Sequence, residues 1–255
     1  MTDLKGRIVA LTGGAGGIAK GIAEAILEAG GNVALIDLDA SKVEATRQSL
    51  SAPDRAFALA ADVTDLASLD AAFASIVAKF GKLDGLVNNA GVIRLGPADA
   101  ATAAAVDLEM AVNVKGVYLA SQAAAKLFPG SGAIVNIASN AGKVGYRNMA
   151  GYNASKAAVI SLTRSLSLEW AEKNININAV CPGGVATDML KSVADFLSPI
   201  LGQDADDLIK TMVPQQLGRH ILPVEVGRVV AFLLSDEAVI IRGQSINVDG
   251  GDTPY

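Results

Sequence analysis

The chain has 255 residues, of which 51% are hydrophobic, 18% charged and 4% aromatic. That length suits one large α/β domain or two small ones with a substantial core, and the apolar content excludes intrinsic disorder. A net charge of −5 leaves no basic footprint for nucleic acid, and one Cys (Cys181) with one His (His220) excludes a disulfide framework or a His-rich metal site.

No apolar stretch approaches the roughly 18 residues of a membrane span, and residues 1–7 enter a short apolar run without a signal-peptide pattern. The expectation is a soluble cytoplasmic protein without nucleic-acid or membrane partners and without a metal. The single Cys fits a reducing compartment.

The first predicted strand, 7–12, runs into Thr12-Gly13-Gly14-Ala15-Gly16-Gly17-Ile18-Ala19-Lys20 and a helix at 17–29. A glycine-rich turn into a helix N-terminus offers free N–H groups and a positive dipole end, which suits a pyrophosphate. Gly14-x-Gly16-x-x-Ala19 fits a dinucleotide fingerprint. A Walker A loop fails, because Ala19-Lys20-Gly21 lacks the hydroxyl that would bind Mg²⁺. The plainer reading is a tight strand-to-helix turn.

A second strand at 32–36 ends at Asp37, 20 residues after Gly17. A carboxylate there can accept both hydroxyls of an adenosine ribose and repels a 2′-phosphate. Its plainer reading is a helix cap or surface acid before the helix at 41–50. A strand at 56–60, a helix at 66–80 and a strand at 85–88 follow, the last leading into Asn88-Asn89-Ala90-Gly91. The predicted helix 102–126 contains Asn113, and Ser139 follows the strand 133–137.

The helix 152–173 opens with Tyr152-Asn153-Ala154-Ser155-Lys156, which places Tyr152 and Lys156 four apart on one face. An ammonium beside a phenol is expected to lower its pKa toward working pH, making a usable base for alcohol oxidation. Alone, such a pair is more often a surface feature. A strand at 175–180, a connection at 182–223, a helix at 224–234 and a strand at 245–248 complete the chain. Strands alternating with helices throughout predict an α/β fold, a single doubly wound sheet of seven mostly parallel strands with helices on both faces. The connection, opened by Gly183-Gly184, is the candidate substrate lid, about 183–223.

Together, Thr12-Gly13-x-x-x-Gly17-Ile18, Asn88-Asn89-Ala90-Gly91, Asn113, Ser139, Tyr152-x-x-x-Lys156, Pro182-Gly183 and the tail Gly243–Gly251 resemble the short-chain dehydrogenase/reductase family over about residues 7–251. The Ser139-to-Tyr152 spacing of 13 is the family's usual one. The resemblance implies a Rossmann-type fold that binds NAD(H), with Ala19 in place of the usual third glycine. It assigns Gly13, Gly16, Gly17 and Ile18 to the phosphate turn, and Asp37 to the ribose. Asp62-Val63 would lie beside the adenine, and Asn89, Ala90 and Gly91 along the dinucleotide. Pro182, Gly183 and the stretch from Val185 to Thr187 would serve the nicotinamide end. Tyr152 would be the acid/base, Lys156 would bind the nicotinamide ribose, Ser139 would hydrogen-bond the reacting oxygen, and Asn113 would hold a water in a relay to Lys156.

The expected activity is NAD-dependent interconversion of a secondary alcohol, polyol- or diol-like, and a ketone. Alternatives are a 3-oxoacyl-thioester reductase, which would generally prefer NADPH and carry basic residues near the turn, and a non-catalytic dinucleotide sensor. Asn140, Lys143, Arg147 and Asn148 are expected to make one pocket wall polar. Cys181 and His220 are read as packing and surface or capping residues. Ala157, Ile160, Leu162, Leu166, Leu168 and Trp170 spread around their helix, and the resulting second apolar face predicts a homotetramer.

Overall fold

The computed structural model describes residues 2–254. Strands β1 (Ile8–Thr12), β2 (Asn32–Asp37), β3 (Ala56–Ala60), β4 (Gly85–Asn88), β5 (Gly132–Ile137), β6 (Ile175–Pro182) and β7 (Ser245–Val248) form one sheet in the order β3-β2-β1-β4-β5-β6-β7. Every neighbouring pair is parallel, where the sequence predicted mostly parallel strands.

Both faces of the sheet are covered, which is why its central strands are continuous apolar runs. The period of two then sorts side chains by face. Val9, Leu11, Val33, Leu35, Val87 and Val135 pack with helices α1 (Ala19–Glu28) and α9 (Pro223–Leu234). Ile8, Ala10, Ala34, Ile36, Leu86 and Ile134 meet α3 (Leu66–Phe80), α5 (Gly116–Ala125) and the Leu166 turn of α6 (Ala150–Glu169). Helix α2 (Ala40–Gln48) contributes Val43 to the first face. Helices α1 and α9 approach at backbone distance. A Cβ on Gly21 would lie 2.2 Å from the Pro223 carbonyl carbon, and one on Gly227 would lie 2.3 Å from the Gly21 carbonyl oxygen.

Three segments differ from the sequence reading. The helix expected at 102–126 is α4 (Ala103–Met110) and α5 joined by a π-helical turn, Ala111–Lys115, in which Gly116 N–H reaches Ala111 O. Such a turn inserts one residue and leaves the apolar period almost intact, so periodicity cannot detect it. Helix α6 starts at Ala150 and yields at Trp170 to a 3₁₀ turn, and the αL residue Asn174 leads into β6. The segment expected to form the lid is helical: α7 (Asp188–Leu201) and α8 (Ala205–Thr211) carry much of it, capped by Thr187 and Asp204. Backbone bonds from Ile221 N–H to Gly184 O (3.0 Å) and from Ala186 N–H to Ile221 O (2.9 Å) tie its two roots together.

Candidate active site

Strand order reverses between β1 and β4, and a crevice opens there beyond the carboxyl ends of the strands. A cavity of about 830 Å³ occupies this position. Gly13, Gly16, Gly17, Ile18, Asp37, Asp62, Val63, Asn89, Ala90, Gly91, Ser139, Tyr152, Lys156, Pro182, Gly183, Val185 and Thr187 all line it. Asn113 is the one predicted site residue that does not, being fully buried behind the wall.

The glycine turn is shaped by close contact. Gly13 has φ +65°, and a Cβ on it would meet the Ala90 Cα at 2.6 Å. Thr12 Oγ1 accepts the N–H groups of Asn89 (3.1 Å) and Ala90 (3.2 Å), while Asn89 Nδ2 donates back to the Thr12 and Gly13 carbonyls. Gly16 and Gly17 face open space, Gly17 at φ +58°. The bare backbone entering α1 therefore fits a phosphate-bearing group, and Asp37 at the end of β2 fits a ribose. Asn88 serves the core instead: its Nδ2 donates to Ser121 Oγ and Asn136 Oδ1, in a polar chain that continues from Asn136 to Thr163.

At the other end, Ser139 sits just past β5 and accepts the Ala141 N–H at 3.1 Å. The short turn Asn140–Gly142 lies directly on α6, since a Cβ on Gly142 would be 2.7 Å from the Lys156 carbonyl carbon. That contact brings the Ser139 hydroxyl beside the Tyr152 phenol on the cavity wall, with Ser139 Oγ itself donating to Asn140 Oδ1 at 3.4 Å. Burial pushes the phenol up to about 12; the Ser139 hydroxyl opposes the rise and the Glu109 carboxylate adds to it. Burial likewise brings the Lys156 ammonium down to about 8. The ammonium donates to the Ile137 carbonyl at 2.8 Å and lies 5.6 Å from the centre of the Tyr152 ring. The expected lowering of the phenol is therefore reversed, because desolvation dominates at this buried position.

Asn113 lies in the π-helical turn. Its Oδ1 accepts Val92 N–H at 2.8 Å, and its Nδ2 donates to Val92 O and Ser155 Oγ, both at 2.9 Å. The amide thus fixes the β4 exit loop against α6. The space above Gly91 is shared: a Cβ built there would lie 3.4 Å from Asn113 Oδ1 and 3.5 Å from Lys156 Nζ.

Half of the expected polar wall is absent. Lys143 turns away to donate to Ser245 O at 2.8 Å, and Asn148, at φ +63°, is outside the lining. Asn140 and Arg147 remain, with Asn140 Nδ2 donating to Tyr146 Oη at 2.9 Å. Opposite stand Met149, Met189, Leu190, Val193, Leu197 and Met212. The lid residues escaped assignment because helix periodicity does not say which face meets a ligand. Cys181 is buried at the end of β6, and His220 Nε2 bonds Ile209 O at 2.9 Å, joining the loop before α9 to α8.

A glycine turn, an acid after β2 and a Ser139–Tyr152–Lys156 group on one cavity define a dinucleotide-dependent oxidoreductase. Residues 13–253 match the family model described as Enoyl-(Acyl carrier protein) reductase. The chain is 40% identical to 2-(S)-hydroxypropyl-CoM dehydrogenase 3 of Xanthobacter autotrophicus, over 98% of each chain. It is 36% identical to D-threitol dehydrogenase of Mycolicibacterium smegmatis, over 98% of this chain and 94% of that one. A solved NAD⁺-bound xylitol dehydrogenase superposes with a TM-score of 0.90 at 30% identity, over 97% and 99% of the two chains. The chain belongs to the short-chain dehydrogenase/reductase family. It is an NAD-dependent oxidoreductase acting on CH–OH groups.

Proposed function

We propose that the enzyme interconverts a secondary alcohol, polyol- or diol-like, and its ketone, with Tyr152 as the proton-transfer group. The observation that carries this reading is the meeting of Ser139, Tyr152 and Lys156 on the cavity that also holds the glycine turn. NAD(H), when bound, supplies or accepts the hydride. Gly13, Gly16, Gly17 and Ile18 would hold its phosphates, Asp37 its adenosine ribose, Asp62 and Val63 the adenine end, and Asn89 to Gly91 with Pro182 to Thr187 the remainder.

In ketone reduction, Tyr152 Oη gives its proton to the carbonyl oxygen, a role suited to a phenol that stays protonated across the neutral range. Ser139 Oγ hydrogen-bonds the same oxygen and steadies its developing charge. In oxidation the proton runs the other way: Tyr152 first passes its own proton toward Lys156 and the relay, and the resulting phenolate takes the hydroxyl proton. Lys156, brought to about 8, stands beside Tyr152 as the group able to pass protons near neutrality. Asn113 and Lys156 flank the space above Gly91, where a water would complete the relay.

The relatives' printed activities, on hydroxypropyl-CoM and D-threitol, support an alcohol bearing further polar groups, with Arg147 and Asn140 as the polar contacts available. The acyl-thioester alternative is disfavoured by Asp37, which stands where an NADPH enzyme needs cations. A panel of polyols, diols, hydroxy acids and aromatic alcohols with NAD⁺, followed by NADH absorbance, tests the reading. No turnover across the panel and the matching ketones would favour the non-catalytic sensor.

A homotetramer is part of the same reading, although the expected face on α6 is smaller than the sequence implied. Ile160 and Leu166 pack into the core, Leu162 and Trp170 are half-buried, and Leu168 is 80% exposed. Exposed Val106, Leu108, Met110 and Tyr118 on α4 and α5, with Val239 and Ile240 before β7, supply the remaining apolar surface. Among the described residues no helix is long and apolar enough to cross a membrane. We read the compartment as cytoplasmic because the single cysteine supports no disulfide framework, which fits a reducing environment.

A further inference from the structure

Glu109 closes α4, four residues before Asn113, and is 2% exposed without lining the cavity. A carboxylate so buried persists only where it is paired. Its Oε1 accepts the Arg94 N–H at 2.8 Å. Its Oε2 lies against Gly151 so closely that a Cβ there would be 2.2 Å away. Gly151 and Tyr152 are the second and third residues of α6, where a helix leaves N–H groups without intrahelical partners and presents its positive end. The residue at the cap position, Met149, supplies no side-chain cap.

We propose that Glu109 is a positioning residue for Tyr152: a carboxylate lent by α4 that packs against the first turn of α6 at Gly151, is held there by the Arg94 N–H next to the lining residues Val92 and Ile93, and keeps the phenol proton in place beside Ser139. The inference rests on Tyr152 as the proton-transfer group. Gly151 belongs to the same device, because any side chain there would collide with the carboxylate. Arg94 contributes its backbone, while its guanidinium turns to the Ile93 carbonyl at 3.2 Å.

The charge acts in the same sense as the geometry, since a neighbouring anion disfavours phenolate. The ionisable groups around the phenol are Lys156 on its own helix, Glu109 on α4 and Cys181 at the end of β6, with Arg147, Asp188 and Asp252 on the cavity lining. Of these, the Glu109 carboxylate raises the phenol's proton affinity.

The test uses the full-length enzyme saturated with NAD⁺ and labelled with ¹³C at the tyrosine ζ carbon. Tyr152 is one of four tyrosines and is assigned by the signal lost in Tyr152→Phe. In Glu109→Gln, which keeps the size and an acceptor but loses the charge, the fraction of Tyr152 ionised at pH 10.5 is expected to rise at least about threefold. Glu109→Asp restores the charge and is expected to bring the fraction back toward the starting enzyme. Amide exchange at Gly151 and Tyr152 is expected to quicken at least about tenfold in Glu109→Ala. Unchanged ionisation in Glu109→Gln together with unchanged exchange in Glu109→Ala overturns the proposal. If these variants do not fold, Gly151→Ala, which displaces the carboxylate, must reproduce both changes or the proposal fails. Failure of the functional reading looks different: Tyr152→Phe would retain turnover on the alcohol panel.

Discussion

The Asp37 carboxylate accepts the Ala15 N–H at 3.0 Å, and Thr46 Oγ1 donates to the Ala15 carbonyl at 3.1 Å, so the acid at the end of β2 holds the tip of the glycine turn. Asp37 therefore has two tasks, bracing the phosphate loop and excluding a 2′-phosphate. Asp37→Ala should weaken NAD⁺ binding by at least about tenfold, more than the loss of one ribose contact alone, and should narrow the preference for NAD over NADP. Fluorescence titration with both cofactors measures the two effects. NAD⁺ affinity that stays constant while NADP⁺ affinity rises would leave the bracing role without support.

Tyr152→Phe deletes one oxygen in a buried site and leaves the ring packing intact. Turnover should fall by at least three orders of magnitude, at the strong end of the ~10²–10⁴-fold range for acid–base catalysis with an orienting role added. Cofactor affinity should stay within about threefold, because the glycine turn and Asp37 are untouched. Near-normal steady-state rates in the purified variant would end the mechanism.

Lys156 gives a signature in stability against pH. Its ordinary value of 10.5 falls to about 8 on burial, so the folded chain binds fewer protons than the unfolded chain between those values. Stability then rises with pH across that window, and the burial penalty is fully present below pH 8. Lys156→Met should be inactive yet more stable at pH 7 by about 1–3 kcal/mol, the upper figure being the full shift and the lower allowing for the Ile137 carbonyl losing its donor. The advantage should vanish near pH 10.5. Urea melts at pH 7 and pH 10 decide it, and a destabilised variant at pH 7 would mean the ammonium's contacts outweigh its desolvation.

The lid should exchange quickly without ligand and become protected with NAD⁺ and a substrate analogue, across residues 187–214. Its helices bury little: Val193, Ala194 and Leu208 are the buried apolar residues of α7 and α8. Ile200 and Leu201 are more than half exposed. Hydrogen exchange with and without the ligands reads the difference, and equal protection in both states would rule out closure.

Assembly is read by light scattering. Four copies of a 25.9 kDa chain give about 104 kDa. A stable mass of one chain at micromolar concentration would refute association, and twice that mass would leave a single interface in use.

The sequence located what depends on local pattern. Short apolar runs between turn residues predicted the seven strands, and the motif residues, Asn113 excepted, line the cavity. What escaped depends on partners distant in the chain. Nothing in Val106–Lys115 shows that the helix widens at Asn113, because an inserted residue costs the apolar period only one step. Glu109 reads as an ordinary helix acid until α6 is packed against it. The phenol's proton affinity was misjudged for a related reason: Tyr152-x-x-x-Lys156 shows the cation, while the burial that dominates comes from strands and loops elsewhere. Lys143 and Asn148 left the expected polar wall because one is claimed by the Ser245 carbonyl and the other by a turn.

Helices α1 and α9 touch at Gly21 and Gly227 with no side chain between them. One begins at the phosphate turn and the other begins where the lid returns to the body. With Ile221 paired to both Gly184 and Ala186, the lid's two roots are joined to each other and seated beside the helix that receives the phosphates. Mechanically, the lid is expected to behave as a flap on a stationary hinge plate, with any travel taken up between residues 187 and 220. A methyl group at either glycine would act as a shim under that plate, changing the tilt of the flap and the seat of the dinucleotide in one movement.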